Sequence, residues 1–226
     1  ANFSSGYKVP SLYQLFSEYG NKILQPERSL NLEGGVQFLG NEGRSALRAT
    51  YFKRNVKDVI TFFFDPLTFQ SQYINQDEQN DHGFEVDGKL LIGERFQLKA
   101  FYSFIDGEIS TRQNGKDTSF FNLLRRPKST LNLSFGAQIN SRLFFNIQLN
   151  AVGKSKDIYF DPNTWQAVDV ELKNYTLLNV YAEYMIIGNR LKLFADARNV
   201  LDQKYADIYG YNTAGLNAYG GIRIHF

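Results

Sequence analysis

The chain has 226 residues, with 25 Lys and Arg against 23 Asp and Glu, and a formal net charge of +2. It contains no cysteine, which excludes a disulfide-bonded scaffold, a cysteine-ligated zinc site and a thiol nucleophile. The balanced charge argues against a nucleic-acid-binding protein, and a hydrophobic content of 43% is too high for a disordered chain. No apolar run approaches the roughly 20 residues of a transmembrane helix.

The dominant pattern is alternation of apolar and polar residues, which indicates β-strands with two different faces. Residues 44–64 are also strand-like, but their apolar and polar faces exchange partway, which predicts a β-bulge. The pattern predicts about nine strands and a short additional strand in residues 1–7. The clearest alternating segments are residues 29–38, 84–92, 95–104, 130–140, 143–151, 178–186, 190–198 and 221–226.

Two all-β architectures alternate in this way. A soluble β-sandwich has strands of about 5–6 residues, whereas a tilted membrane strand needs about 9–11. The alternating segments here are near the longer value, and the chain is rich in aromatic residues, with 14 Tyr and 20 Phe. We therefore expect an antiparallel transmembrane β-barrel portion of about 9–10 strands.

The connections between the strands support this interpretation. Tight turns at residues 40–43, 93–94, 140–141 and 188–189 alternate with long polar segments. Outer-membrane barrels combine short periplasmic turns with long extracellular loops. A final strand that ends on Phe226 also resembles the terminal strand of outer-membrane barrel proteins, which ends on the periplasmic side. The long segments are residues 8–28, 65–80, 107–127, 155–172 and 203–215.

Four stretches of the sequence resemble TonB-dependent outer-membrane receptors, most closely the cobalamin (vitamin B12) receptors among them. The last two resemble the cobalamin receptors in particular, through Leu-Leu-Arg-Arg-Pro-Lys and Tyr-Gly-Tyr-Asn-Thr-Ala-Gly. One departure from the family pattern is Leu216, which stands where an Arg is common. The stretches are residues 6–16 with 20–35, residues 51–60 with 73–85, residues 123–128, and residues 198–205 with 210–215.

The resemblance implies a fold, a location and a mechanism. The family has a plug domain inside a 22-stranded barrel in the outer membrane of Gram-negative cells, and residues 1–226 are expected to be a C-terminal portion of the barrel without the plug. The receptor would bind a scarce bulky nutrient, and TonB would drive its uptake through the plug. Cobalamin is the favoured ligand. The alternatives are a ferric siderophore receptor and a self-contained, porin-like barrel of ten strands.

The residues themselves suggest a binding surface and no enzyme active site. Large aromatic side chains in outward loops suit a bulky ligand, although Tyr and Trp also border the bilayer in membrane proteins. Arg125 and Arg126 would either bind the ligand or pair with Glu33, Asp87, Glu183 or Asp196 inside the barrel, and pairing is the favoured interpretation. The candidate ligand-binding residues are Phe69, Tyr73, Arg125, Arg126, Tyr159, Trp165, Tyr209, Tyr211 and Asn212.

Two acidic groups raise the question of a metal. Asp77 and Glu78 lie near Asp81, and Asp157 lies near Asp161. Calcium is a candidate ion because it binds carboxylate oxygens, but it needs 6–8 converging ligands and neither group has an EF-hand spacing. We therefore expect these groups to be solvated loop charges and no metal to be required. The other expected partners are outer-membrane lipid and a surface lipoprotein that docks on the loops; no nucleic acid is expected.

Overall fold

The computed structural model describes residues 1–65, 68, 70–113, 116–120, 124–164, 166–188 and 190–225. Strands dominate these residues, with one short α-helix and a 3-10 turn at Asn41–Gly43. No helix in these ranges is both long and apolar enough to cross a membrane. The elements are β1 (Asn2–Lys8), α1 (Leu12–Phe16), β2 (Glu27–Gly40), β3 (Ser45–Asp65), β4 (Gln70–Ile92), β5 (Phe96–Gln113), β6 (Lys116–Phe120), β7 (Ser129–Gln138), β8 (Leu143–Val152), β9 (Ser155–Asp161), β10 (Gln166–Leu172), β11 (Tyr175–Ile187), β12 (Leu191–Arg198) and β13 (Asn217–Ile224).

Eleven strands form one sheet in the order β1-β2-β3-β4-β5-β7-β8-β11-β12-β13, with β6 pairing with β5 beside this path. Strands β9 and β10 form a separate hairpin. Every pair with a described register is antiparallel, and Leu133, for example, lies opposite Ala100 on one side and Leu149 on the other. The predicted all-β, antiparallel fold is confirmed, including the short strand at the start of the chain.

The chain divides into two compact units, which are described separately below. The first unit comprises Ala1–Gly35, Thr50–Gly83 and Ile105–Leu123. The second comprises Val36–Ala49, Phe84–Phe104 and Leu124–Phe226.

In the second unit, the two sheet faces differ in polarity as the alternation predicts. One face is apolar and remains exposed, as at Phe135, Ile147 and Ile222. The other face borders a concave space of about 790 Å³ and is mostly polar; its residues include Lys99 and Gln148. An apolar sheet face without a protein layer over it is what a lipid-facing surface requires.

The first unit has a small buried core and a buried carboxylate. Val56, Val59 and Ile109 form the core. Asp81 is only 1% exposed and accepts hydrogen bonds from the Arg54 side chain (2.9 Å) and from Gln79 Nε2 (2.9 Å). Because a buried carboxylate needs donors of this kind, the Arg54–Asp81–Gln79 group holds β3 and β4 together.

Several segments predicted as polar connections are largely strands. Residues 65–80 mostly belong to β4, and residues 107–127 contain the end of β5 and all of β6. Residues 155–172 form the β9–β10 hairpin. Polar composition misled the prediction here, because strands that extend beyond an apolar environment pair through the backbone and do not need alternating apolar side chains. The described residues therefore contain thirteen strands, above the expected nine or ten.

The predicted irregularity in residues 44–64 corresponds to Asp58, which has φ +58° inside β3. The side chain of Asn75 donates a hydrogen bond of 2.6 Å to the Asp58 carbonyl oxygen. It also exchanges two hydrogen bonds with the backbone of Gln25, at 2.8 and 3.0 Å. Asn75 thus stabilises both the left-handed residue and the segment before β2.

Gly107→Ala is expected to destabilise the first unit by about 1–3 kcal/mol, the usual cost of overpacking. A Cβ atom there would lie 2.9 Å from the Asn80 carbonyl oxygen and would also contact the Asp81 carboxylate. Gly34→Ala is the control, because its Cβ would meet nothing within 4 Å. Thermal unfolding followed by circular dichroism should show a lower Tm for Gly107→Ala, and equal Tm values would contradict the close approach.

Candidate functional site

In the second unit, three segments meet at Asp157. Its carboxylate is 1% exposed and accepts three hydrogen bonds of 2.8 Å: from Arg125 Nε, from the backbone N–H of Tyr209 and from the backbone N–H of Ile158. Arg125 has φ +58°, and its own N–H donates to the Lys156 carbonyl oxygen at 2.7 Å. We name Arg125, Asp157, Tyr159 and Tyr209 the Asp157 junction. It joins the segment before β7, the β9–β10 hairpin and the loop after β12.

Aromatic contacts extend this junction. The rings of Tyr159 and Tyr209 have centroids 5.0 Å apart, and those of Tyr175 and Tyr205 are 4.4 Å apart. The Tyr175 hydroxyl also donates to Asp207 Oδ1 at 2.7 Å. Aromatic pairs at these separations contribute more stabilisation than the burial of their surface area alone would give. The loop between β12 and β13 is therefore fixed at both Asp157 and Tyr175.

The Arg-Asn-Val-Leu-Asp stretch at residues 198–202 stands at the start of this loop, and its side chains also bind the end of the loop. Asn199 is buried, has φ +49°, and donates from its side chain to the carbonyl oxygens of Gln203 (2.9 Å) and Ala214 (3.3 Å). Asp202 Oδ1 accepts the N–H of Leu216 at 2.8 Å. Because this contact uses the backbone of Leu216, the departure from Arg at this position leaves the loop closure intact.

The environment of Asp157 changes its acidity. Burial alone would raise the pKa of Asp157, but the hydrogen bonds from the Tyr209 N–H, the Arg125 side chain and the Ile158 N–H outweigh burial and lower the pKa below the ordinary 3.8. A carboxyl whose pKa is lower in the folded state stabilises that state when the pH is above the ordinary pKa of the group. This contribution is lost as the pH falls through the pKa of the folded state.

We therefore predict that the junction persists on acidification to pH 3.8 and opens only below it. The chain has no cysteine, so Tyr211→Cys provides one site for a spin label on the loop that Asp157 holds. The label mobility should stay constant from pH 7 to about pH 4 and rise below that. The same label on an Asp157→Asn background should be mobile throughout, and identical profiles for the two proteins would contradict the prediction.

The polar face of the second unit carries further paired charges. Glu183 accepts hydrogen bonds from Lys192 (2.8 Å) and the Tyr181 hydroxyl (2.9 Å), and Arg223 lies 3.6 Å away. Asp196 accepts from the Tyr219 hydroxyl at 2.6 Å, and Arg198 lies 3.4 Å away. These two groups make this face polar, and neither of them contains a free nucleophile beside a base.

In the first unit, Tyr73 belongs to an aromatic cluster with Tyr13, Phe62 and Tyr19. Its ring centroid lies 6.2 Å from Tyr13 and 5.2 Å from Phe62, and that of Tyr19 is 5.5 Å from Phe62. Ser11 caps α1 in a capping box with Gln14. The cluster anchors the α1 segment, because the Tyr73 N–H also donates to the Tyr19 carbonyl oxygen at 3.0 Å.

The structure thus brings together three of the nine candidate ligand residues, at the Asp157 junction: Arg125, Tyr159 and Tyr209. Tyr211 is 71% exposed, and Arg126 and Asn212 are also exposed. Tyr73 lies in the first unit. Phe69 and Trp165 lie outside the described residues, as does the terminal Phe226.

Two sequence interpretations are wrong. Arg125 does not pair with the acidic residues that were predicted for it, because it binds Asp157. Three of the predicted residues have other partners: Asp87 binds Arg48, Glu183 binds Lys192 and Asp196 contacts Arg198. Asp81 and Asp157 are also buried acceptors, not solvated charges, because local strand pairing surrounds them with donors. In the part of the chain that the structure describes, no three His, Asp or Glu side chains are arranged to hold a metal ion.

Tyr175 and Asp207 were missed by the sequence analysis. Tyr175 begins β11, where its ring packs on the loop that contains Asp207. The only sequence signal was an aromatic residue at the end of an alternating segment, and such a residue packs on a loop or borders a bilayer equally well.

The comparisons with known proteins point to one family. A family model described as "TonB dependent receptor-like, beta-barrel" matches residues 1–200. The structure is similar to Pseudomonas aeruginosa FpvA bound to heterologous pyoverdines, with TM-score 0.79 and 17% identity over 98% of this chain and 30% of that one.

Two further solved structures have the same fold. The ferric enterobactin receptor PfeA of P. aeruginosa, in complex with enterobactin, has TM-score 0.72 and 20% identity over 97% of this chain and 37% of that one. The FrpB iron transporter of Neisseria meningitidis has TM-score 0.68 and 18% identity over 88% of this chain and 31% of that one. The chain therefore spans about a third of the length of the structures it matches.

Proposed function

Because the chain belongs to the TonB-dependent receptor β-barrel family, we propose that it forms barrel wall and outward loops of an active transporter for a bulky nutrient. Members of this family are outer-membrane transport receptors of Gram-negative bacteria and not enzymes. In this proposal, β-strands cross the outer membrane, the tight turns face the periplasm and the Asp157 junction faces outward. TonB acts through a plug domain, drawing on the proton-motive force across the inner membrane.

The proposed ligand is a ferric siderophore. The match to the family carries the transport role, and the similar solved structures include receptors bound to pyoverdine and enterobactin. The chemistry of the Asp157 junction supports a large, partly aromatic ligand. Tyr159 and Tyr209 offer ring surface, and Arg125 uses Nε on Asp157 while its side chain remains 51% exposed. Its outer guanidinium nitrogens can therefore donate to an anionic ligand group.

Cobalamin remains the second candidate. The specific observation in its favour is sequence, namely the Leu-Leu-Arg-Arg-Pro-Lys stretch at residues 123–128 and the Tyr-Gly-Tyr-Asn-Thr-Ala-Gly stretch at residues 209–215. A calcium requirement and a docked surface lipoprotein also stay proposals. The first is tested by repeating ligand binding with a chelator, and the second by asking whether a lipoprotein copurifies.

The test measures ligand binding to the protein produced from its complete gene, with ferric pyoverdine, ferric enterobactin and cyanocobalamin as probes. Tyr209→Ala and Tyr211→Ala should each weaken binding of the true ligand about fivefold or more, which corresponds to the loss of about 1 kcal/mol that only a minority of interface residues exceed. Tyr184→Ala is the matched control, because Tyr184 is 43% exposed, against 44% for Tyr209, but lies on the apolar sheet face.

Saturable binding of either ferric siderophore with this mutational pattern supports the proposal. Saturable binding of cyanocobalamin alone would assign the second candidate instead. Binding of none of the three would contradict the ligand assignment, and equal losses in Tyr184→Ala and Tyr209→Ala would contradict the location of the site.

A further inference from the structure

The first unit has a sheet face whose character changes from apolar to cationic along the strands. The register places Phe3 opposite Leu32, Ser5 opposite Leu30 and Tyr7 opposite Arg28 on one face of β1 and β2. Phe3, Leu32 and Leu30 are exposed apolar residues on this face. At the end nearest α1, the face carries Tyr7, which is 77% exposed, and Arg28, which is also exposed.

The opposite face of the same two strands differs. There Lys8 forms an ion pair with Glu27 at 3.1 Å, and Glu27 also accepts the N–H of Ile60 at 2.9 Å. Arg28 on the first face and the exposed Lys57 of β3 have no such neighbour: within the described ranges, neither has an ion pair or a side-chain hydrogen bond. Arg28 and Lys57 are therefore available to an external anion.

Arg28 and Lys57 border one concave space of about 540 Å³. Tyr7 and Leu30 line it too, so that the cations adjoin an aromatic ring and the exposed apolar surface. Asn55, which also lines this space, donates its side-chain amide to Glu78 and to Asn80 Oδ1, the latter at 2.9 Å, so Glu78 is already engaged.

We propose that this space binds the phosphate-bearing headgroup of an anionic membrane lipid. The headgroup phosphate lies between Arg28 and Lys57, and the acyl chains extend over Leu30, Leu32 and Phe3. We name this set the headgroup site. The proposal uses the membrane location of the family and is independent of which nutrient is transported.

Three physical arguments support a lipid as the occupant. Tyrosine is enriched where a protein crosses from hydrocarbon to the headgroup layer, and Tyr7 lies opposite Arg28 at the end of an exposed apolar face that includes Leu30. Each Lys or Arg near an anionic lipid surface contributes about 1 kcal/mol to binding. A guanidinium also binds phosphate through two parallel hydrogen bonds, so Arg28 provides geometry as well as charge.

The test uses native mass spectrometry of the complete protein in detergent, titrated with phosphatidylglycerol or with phosphatidylcholine of the same acyl chains. Phosphatidylcholine is the zwitterionic control. Arg28→Gln/Lys57→Gln should lower the affinity for phosphatidylglycerol about tenfold or more. Arg142→Gln/Lys173→Gln removes two exposed cations elsewhere and should leave it unchanged. The circular dichroism spectrum and thermal unfolding of both double variants serve as the folding control and should match those of the unmodified protein.

Selective phosphatidylglycerol binding that is lost in Arg28→Gln/Lys57→Gln supports the headgroup site. Equal affinity of the two double variants would overturn it, as would equal binding of both lipids to the unmodified protein. Displacement of the lipid by millimolar inorganic phosphate would show that the site recognises a free anion and would overturn the lipid assignment. Each outcome is separate from the transport proposal, which depends on ligand binding alone.

Discussion

Leu133→Arg is expected to destabilise the protein in a lipid bilayer by about 2–4 kcal/mol, the cost of a charge on the lipid face near the middle of a membrane strand. Leu133 lies at the centre of β7, opposite Ala100 of β5 and Leu149 of β8. Its neighbours on the same face include Phe135, which is exposed to the surroundings of the sheet. An arginine there would lose its hydration without gaining a partner. Urea titration of the protein folded into vesicles measures the effect.

Asn132→Arg is the matched control, one residue away on the polar face. Asn132 lies opposite Phe101 and Asn150 and is exposed. The same arginine there is solvated and should change the unfolding free energy by less than about 0.5 kcal/mol, as expected for a surface substitution. Equal destabilisation by the two variants would show that the two faces do not differ in their contact with lipid and would contradict the membrane orientation of the sheet.

The alternation along the strands predicted the two faces, because side chains on a strand point to opposite sides and a one-residue slip would exchange them. Residues 130–138 illustrate this, since Leu131, Leu133 and Phe135 share a face in the structure as in the sequence pattern. The same logic failed at residues 70–80, which are polar on both faces but belong to β4. There the strand is extended by backbone pairing alone, and backbone pairing leaves no alternating pattern of apolar and polar side chains in the sequence.

The candidate site was only partly predictable. Tyr159 and Tyr209 were chosen as large aromatic residues in outward segments, and their rings are in contact. The group that joins them was interpreted as a solvated charge, because Asp157 resembles any acidic loop residue in a single sequence. Its burial depends on Arg125 and the Tyr209 N–H, which are 32 and 52 residues away along the chain. Local pattern cannot specify contacts at such separations.

Asp157→Ala should release the loop between β12 and β13. The substitution leaves the N–H groups of Tyr209 and Ile158 without their acceptor, at a typical cost of about 1–3 kcal/mol for an unsatisfied buried group. Loss of the Arg125–Asp157 ion pair adds less destabilisation than loss of a fully buried pair would, because the Arg125 side chain is 51% exposed and solvent replaces the lost contact. Hydrogen exchange of peptides covering residues 203–215 should accelerate about 10–100-fold.

Asp169→Ala is the control in the same hairpin, since Asp169 lies on β10 opposite Ile158 and is exposed. Its exchange rates should match those of the unmodified protein. Faster exchange in Asp157→Ala with weaker ligand binding would mean that the Asp157 junction orders the loop before the ligand arrives, because an ordered loop needs to lose less entropy on binding. Faster exchange with unchanged affinity would restrict Asp157 to loop structure, and unchanged exchange would contradict the junction itself.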